Sequence, residues 1–203
     1  MKFALVGATG RVGSRILAEA LARGHQVTAV ARHIADLAPQ PHLVVKEGDA
    51  SNPATLAPLL RGHDAVVSAL RFANADPRKL IDAVKASGVK RYVVVGGAGS
   101  LEVAPGQKLL DTPTFPAAFR AEATAADNFL TMLRKETGLE WSFLSPSAMF
   151  APGARIGKFR LGQDQLLTDG QGHSAISMED FAIALLDELE HPKHIHQRFT
   201  VGY

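Results

Sequence analysis

Apolar positions recur along this chain with two alternating periods. The stretches Lys2–Val6, Gln26–Val30, Leu43–Glu47, Asp64–Leu70, Arg91–Val95 and Leu139–Leu144 are short, apolar and partly β-branched. Such runs predict strands of a parallel sheet buried on both faces. Between them the spacing changes to that of a helix. Ile16, Leu17, Ala20 and Leu21 share one face of a first helix, ended by Gly24. The third predicted helix ends at Leu60 before Gly62, with Ser51 or Asn52 as N-cap and Pro53 at its first position. Further helices are predicted over Pro77–Ser87, closed by Gly88, over Phe115–Glu136, stopped by Gly138, and over Met178–Glu190. Arg198–Tyr203 reads as a last strand. Through the fifth strand the expected order alternates strictly, with a helix between each pair of strands, the second and third included. That order predicts a parallel sheet covered by helices on both sides.

The turn between the first strand and first helix is Gly7-Ala8-Thr9-Gly10-Arg11-Val12-Gly13. Glycines there let the backbone approach a pyrophosphate, and the helix start offers free N–H groups and a positive dipole end. The spacing is G-x-x-G-x-x-G rather than the usual G-x-G-x-x-G of dinucleotide sites. Its position after a strand and before a helix is the context that such a site requires.

Ligands of such sheets bind at the carboxyl ends of the strands, and several candidate residues fall there. Arg32 follows the second strand, where an acid would bind the ribose of NAD and an arginine suits the 2′-phosphate of NADP. Arg11, inside the glycine turn, could reach the same phosphate. The plain alternative is two solvated surface arginines. Asp49, after the third strand, could accept from an adenine amino group or lead into the next helix. Ser68, Ala69 and Leu70 leave the fourth strand and are small enough, at the first two, for a cofactor to lie across. Gly96 and Gly97, with Gly99 and Ser100, leave the fifth and suggest close approach to a ligand. Leu101–Thr114 reads as a loop and candidate flap, and in the Gly-rich stretch Gly153–Gly172 short apolar pieces such as Leu166-Leu167 could pair as a hairpin. Met149 and Phe150, past the sixth strand, wall an acceptor pocket or pack the core.

Composition narrows the picture. The chain has 203 residues, 46% hydrophobic and 21% charged, with net charge +2 and no cysteine. One domain spanning 1–203 is expected, with 145–203 contributing a small substrate-binding lobe. The small charge gives no argument for nucleic acid as a partner. Absence of cysteine excludes disulfides, thiolate catalysis and Cys-ligated metal. No leader-like stretch precedes the first strand, and no apolar run approaches the ~20 residues of a membrane helix. A soluble cytoplasmic protein without membrane partners is expected, either monomer or dimer.

The glycine turn, Gly48-Asp49 after the third strand and Trp141-Ser-Phe-Leu-Ser-Pro146 at the sixth resemble the atypical short-chain dehydrogenase/reductases. Within them the chain looks like the NADH-flavin-reductase-like proteins, relatives of the NmrA-like proteins and of biliverdin reductase B. Asp164–Asp169 and Ile176–Asp180 extend that likeness over nearly the whole chain. The resemblance implies a Rossmann-type doubly wound α/β fold. It also implies NADPH, or NADH, bound by Gly7, Thr9, Gly10, Arg11, Val12, Gly13, Arg32, Asp49 and the fourth and fifth strand exits.

The superfamily's catalytic Tyr, with Lys four residues later, does not carry over. The chain has only Tyr92, followed at that distance by Gly96, and the terminal Tyr203. Phe115, Phe119 and Glu122 stand where the pair is expected. Ser100 lies near the place of the superfamily's serine and is the one catalytic candidate, and with Met149 and Phe150 a candidate for substrate binding. A ketone needs an acid to protonate the developing alkoxide, whereas a flavin or quinone can take its proton from solvent. The expected activity is therefore hydride transfer from NAD(P)H to a small flavin-like or quinone-like acceptor, FMN included. The alternative is a non-catalytic NADP(H)-binding redox sensor of the NmrA-like type. A sugar-nucleotide or isoflavone-type reductase suits the missing Tyr less well.

Two remaining clusters take plain readings. Lys158 and Arg160 could meet an anionic substrate such as the FMN phosphate, or be solvated. His191, His194 and His196, interrupted by Pro192, read as a solvated turn rather than a metal site.

Overall fold

The computed structural model describes residues 1–35 and 37–203, Asn74 by its backbone alone. In chain order the elements begin β1 (Lys2–Val6), α1 (Gly13–Ala22), β2 (Gln26–Ala31), β3 (Leu43–Glu47) and α2 (Pro53–Leu60). Next come β4 (Ala65–Ser68), α3 (Pro77–Ser87), β5 (Arg91–Val95), β6 (Glu102–Ala104), β7 (Gln107–Lys108) and α4 (Ala117–Leu133). The chain closes with β8 (Glu140–Pro146), β9 (Met149–Ala151), β10 (Arg160–Gly162), β11 (Ala175–Ser177), α5 (Met178–Glu190) and β12 (Gln197–Gly202).

Eight strands form the main sheet in the order β3-β2-β1-β4-β5-β8-β12-β10. All pair in parallel except β10, which runs antiparallel to β12. The order reverses between β1 and β4, the switch point where doubly wound sheets bind nucleotides. Alternation along each strand divides the core. Phe3, Leu5, Val67 and Val93 pack toward α1 and α5, while Ala4, Val6, Val66 and Tyr92 face α2, α3 and α4.

Three expectations change. The link from β2 to β3 carries no helix among its described residues. Pro39 and Pro41 remove donors and restrict the residues before them, which breaks a helix of that length. The Leu101–Thr114 segment is tied down rather than free. Leu109 N donates to Leu101 O at 2.8 Å, Leu110 N to Gly99 O at 2.9 Å, and Glu102 N to Asp164 O at 2.8 Å. The Gly-rich stretch after residue 153, expected to pair within itself as a hairpin, instead sends Arg160–Gly162 to the sheet edge beside β12.

The C-terminal part also returns to the main body, because β12 pairs with β8 and α5 packs along α1. A short parallel pair, β9 with β11, stands outside the sheet beyond β8. No helix among the described residues is long and apolar enough to cross a membrane.

Candidate functional site

The glycine turn is folded so closely that side chains have no room. Gly7 has φ +89°, and a Cβ on it would stand 2.6 Å from the Ala69 carbonyl oxygen. A Cβ on Gly13 would stand 2.1 Å from the Gly7 carbonyl oxygen, and one on Gly10 3.2 Å from the same atom. Gly7 N donates to Val30 O at 2.8 Å, and Ala69 N to Val6 O at 2.9 Å, so both neighbouring strands pin the turn. No side chain caps α1. The amides of Arg11, Val12 and Gly13 find no acceptor among the described residues. Unsatisfied amides at a helix start, approached over bare glycine, suit an anion such as a pyrophosphate.

A groove of about 260 Å³ opens beside this turn across the ends of β1, β2, β3 and β4. Gly7, Thr9, Gly10, Arg32, Asp49, Ala69 and Leu70 line it, together with His33, Ser51 and Arg71. Arg11 is exposed and Val12 packs against the core; neither lines the groove, nor does Gly13, whose role is the backbone crossing just described. Arg71 therefore stands in the groove with Arg32 where Arg11 was expected. Its signal in the sequence was its place directly after the fourth strand exit.

Hydrogen bonds from the Ser51 hydroxyl (2.7 Å) and amide (2.9 Å) hold the Asp49 carboxyl below the usual carboxylate range. The N-cap of α2 is Asn52, which accepts from Ala54 N at 3.2 Å. Ser68 departs from expectation. Strand alternation turns it into the core, where its hydroxyl lies 2.9 Å from Tyr92 Oη. Burial pushes that phenol well above its ordinary pKa, with the Ser68 bond acting in the opposite sense.

A second cleft, of about 420 Å³, lies at the ends of β5 and β8. Gly96 and Gly97 form its floor, and Met149 and Phe150 stand on its wall. A Cβ on Gly96 would meet the Phe143 ring at 2.3 Å, and one on Gly99 the Ala123 Cβ at 2.6 Å. These glycines therefore also let α4 and β8 close on the strand exit. The facing wall comprises Phe72, Thr112, Thr114, Phe115, Phe119 and Glu122. Glu122 accepts from Phe72 N at 2.7 Å and Ala73 N at 3.0 Å, and so fixes the segment between the two clefts. Phe72 is braced from behind by Phe129, with ring centroids 5.4 Å apart in an edge arrangement.

Ser100 does not reach this cleft. It is 5% exposed and accepts from Arg198 Nη1 at 3.2 Å. Arg198, buried in β12, needs acceptors and takes Ser100 together with Asp164, to which its Nε donates at 2.7 Å. Tyr203, also distant in sequence from the cleft wall, donates from Oη to Asp180 Oδ2 at 2.8 Å.

Lys158 and Arg160 line neither cleft. Arg160 Nη2 donates to Thr168 O at 2.7 Å and to Tyr203 O. The histidine turn is exposed as expected, with His194 alone half-buried. His194 Nδ1 lies 2.7 Å from Glu188 Oε2 and its ring stacks on Phe199 at 4.1 Å, while His196 Nε2 donates to Leu139 O at 2.8 Å.

The profile of an NAD(P)H-binding family matches residues 7–192. An uncharacterized Bacillus subtilis protein, YwnB, is 40% identical over 211 residues, spanning 99% of this chain and 98% of that one. A structure described as a proposed epimerase, from Bacteroides thetaiotaomicron, superposes with TM-score 0.95 at 45% identity, covering 100% of this chain and 96% of the other. A proposed NADH-flavin reductase from Streptococcus pneumoniae superposes with TM-score 0.87 at 34% identity, covering 100% and 99%. These matches agree with the likeness to atypical short-chain dehydrogenase/reductases that the glycine turn carries. This chain belongs to the NAD(P)H-binding family of Rossmann-fold proteins.

Proposed function

We propose that the protein is an NAD(P)H-dependent reductase acting on a flavin-like or quinone-like small molecule in a cytoplasmic setting. The observation that carries this reading is the apolar cleft of Gly96, Gly97, Met149 and Phe150 beside the groove of the glycine turn. The likeness to a proposed NADH-flavin reductase supports it. When bound, reduced nicotinamide supplies a hydride; with one solvent proton this gives a two-electron-reduced acceptor and oxidised nicotinamide. The chain's own residues bind, orient and shield. The glycine turn and the open amides of α1 hold the pyrophosphate, and Arg32 with Arg71 draws the 2′-phosphate. Tyr92 is locked in the core and Tyr203 is bonded to Asp180. No Tyr or Lys lines the acceptor cleft among the described residues, which favours acceptors that need no dedicated protein acid.

The test is NADPH oxidation by purified protein with riboflavin, FMN or menadione. Turnover is expected. Nucleotide binding with no turnover on any of them would replace the reductase by a redox sensor of the NmrA-like type. Two variants refine the assignment. Arg32→Ala should weaken NADPH about 10- to 100-fold, as for a lost charge-assisted bond, and leave NADH nearly unchanged. Equal loss for both would remove the 2′-phosphate role. Met149→Ala should raise the acceptor KM about fivefold, on the order of 1 kcal/mol of lost apolar contact, without moving the NADPH KM. A change confined to the NADPH KM would place Met149 at the wrong ligand.

A further inference from the structure

One short segment separates the two clefts. After β4 the chain runs Ala69-Leu70-Arg71-Phe72-Ala73-Asn74-Ala75. Ala69, Leu70, Arg71 and Ala75 line the nucleotide groove, whereas Phe72 lines the cleft at the ends of β5 and β8. Phe72–Asn74 form a single tight helical turn, closed by Ala75 N donating to Phe72 O at 3.2 Å. A turn that short carries little stability of its own, so its place is set by what holds it from outside.

Two kinds of contact hold it. The Phe72 ring packs edge-on against Phe129, with centroids 5.4 Å apart, and tilted against Phe143 at 6.0 Å. The backbone is held by Glu122 on α4, whose Oε1 accepts from Phe72 N at 2.7 Å and whose Oε2 accepts from Ala73 N at 3.0 Å. Arg71 Nε stands 3.9 Å from the same Oε2. One carboxylate thus meets three consecutive residues. The first presents its side chain to the nucleotide groove, and the second presents its ring to the acceptor cleft. The other cation at this edge, Arg120, lies 5.6 Å over the Phe115 ring and gives Nη1 to Leu110 O at 2.7 Å. It is therefore tied to the Leu110–Phe115 stretch and not to this turn.

The Arg71 contact is the adjustable one. Its side chain is 75% exposed, and 3.9 Å is long for an ion pair. Such a pair is weak in water and holds the guanidinium loosely. A phosphate dianion in the groove gives Arg71 a stronger acceptor, and the guanidinium fork has donors for phosphate and carboxylate together. Held between the two, Arg71 is ordered, and the turn that bears Phe72 is ordered with it. An acceptor that then packs on Phe72 meets a wall already fixed and loses less entropy on binding.

We infer that Glu122 is a positioning residue that couples the two clefts: through Arg71 and the Phe72 and Ala73 amides, a 2′-phosphate in the nucleotide groove tightens binding of the acceptor. The inference rests on the proposed readings of Arg71 at the 2′-phosphate and of the second cleft as the acceptor site. Linkage makes the effect reciprocal, so the acceptor tightens the nucleotide by the same factor.

The test fills the groove with a ligand that cannot touch the acceptor. 2′,5′-ADP carries the 2′-phosphate and lacks the nicotinamide, so its effect on the second cleft passes through the protein. Riboflavin binding is followed by fluorescence quenching in free protein and in protein saturated with 2′,5′-ADP or with AMP, and menadione is added as competitor. 2′,5′-ADP is expected to tighten riboflavin at least about fivefold, and AMP less than about twofold. Glu122→Gln removes the charge and keeps an oxygen for one amide, while Arg71→Gln removes the cation from an exposed position. Each should bring the 2′,5′-ADP ratio below about twofold. General loosening of the cleft weakens riboflavin with and without nucleotide alike and leaves the ratio where it was. Equal effects of 2′,5′-ADP and AMP overturn the inference, as does a parent ratio near one or a ratio that survives Glu122→Gln. Failure of 2′,5′-ADP to bind, or of both riboflavin and menadione, overturns it too. If the ratio behaves as expected but NADPH is not oxidised, the reductase reading fails and the coupling stands. If NADPH is oxidised and the ratio is one, the reductase stands and the coupling fails.

Discussion

Gly13→Ala is expected to abolish nucleotide binding. The added Cβ would stand 2.1 Å from the Gly7 carbonyl oxygen and 2.9 Å from its carbon. Both are backbone atoms of a turn pinned between β2 and β4, so neither can swing aside as a side chain would. To relieve the clash, α1 must withdraw from the turn, and the amides of Arg11 and Val12 then leave the anion's position. The cost in stability is about 3 kcal/mol. The loss in NADPH affinity is at least about 100-fold, or ~2.7 kcal/mol. Gly10→Ala is a graded control. Its Cβ would lie 3.2 Å from Gly7 O and 3.7 Å from Ala69 O, so a shift of a few tenths of an ångström accommodates it. Thermal melting and nucleotide fluorescence titration of both variants are the checks. Gly13→Ala binding as tightly as the parent would refute the backbone crossing as the basis of the site.

The second large effect is expected far from the clefts. Glu188 on α5 is 4% exposed and Arg91 on β5 is 6% exposed, and they meet at 2.9 Å. Glu188 also accepts from Ser142 Oγ at 3.0 Å, His194 N at 3.0 Å and Lys193 N at 3.1 Å. Burial by itself would raise its carboxyl pKa; the bonds from His194, Lys193 and Ser142 outweigh burial and hold it below the usual range. Removing the carboxylate leaves a buried guanidinium uncompensated. Glu188→Ala should therefore cost about 3–5 kcal/mol, on the order of 10 °C in Tm for a chain of this size.

The pH dependence has a definite sign. A carboxyl whose pKa is lowered by folding contributes stability above its unfolded pKa, and loses it as pH falls through the folded pKa. The Tm difference between parent and Glu188→Gln should hence be full at neutral pH and shrink on acidification below the ordinary carboxylate range. A difference that stays constant from neutral to acid would show that charge is not what Glu188 supplies.

Much of the nucleotide groove was legible in the chain because its causes are local. Three glycines, the strand before them and the helix after them lie within consecutive residues, and their meaning follows from backbone geometry alone. The strand exits Arg32, Asp49, Ala69, Leu70, Gly96 and Gly97 were legible for a related reason: in a parallel sheet every strand end with the same direction reaches the same edge. Ser68 broke this reasoning by one position, since alternation along β4 sends it inward to Tyr92. The link between β2 and β3 broke it too, because strict alternation of elements was extended through two prolines that no helix of that length tolerates.

What the sequence by itself determined is thus the parallel α/β sheet, the glycine turn and the edge at which a nucleotide lies, each set by short-range periodicity and backbone sterics. Only the tertiary structure decided who meets whom across long separations. Arg198 claims Ser100 from 98 residues away, Arg160 turns to the terminal residue, and Glu122 reaches back 50 residues to the amide of Phe72. Those pairings depend on charged and polar groups finding partners wherever packing places them, which no local pattern encodes. They leave the cleft at the ends of β5 and β8 with aromatic walls and a single carboxylate.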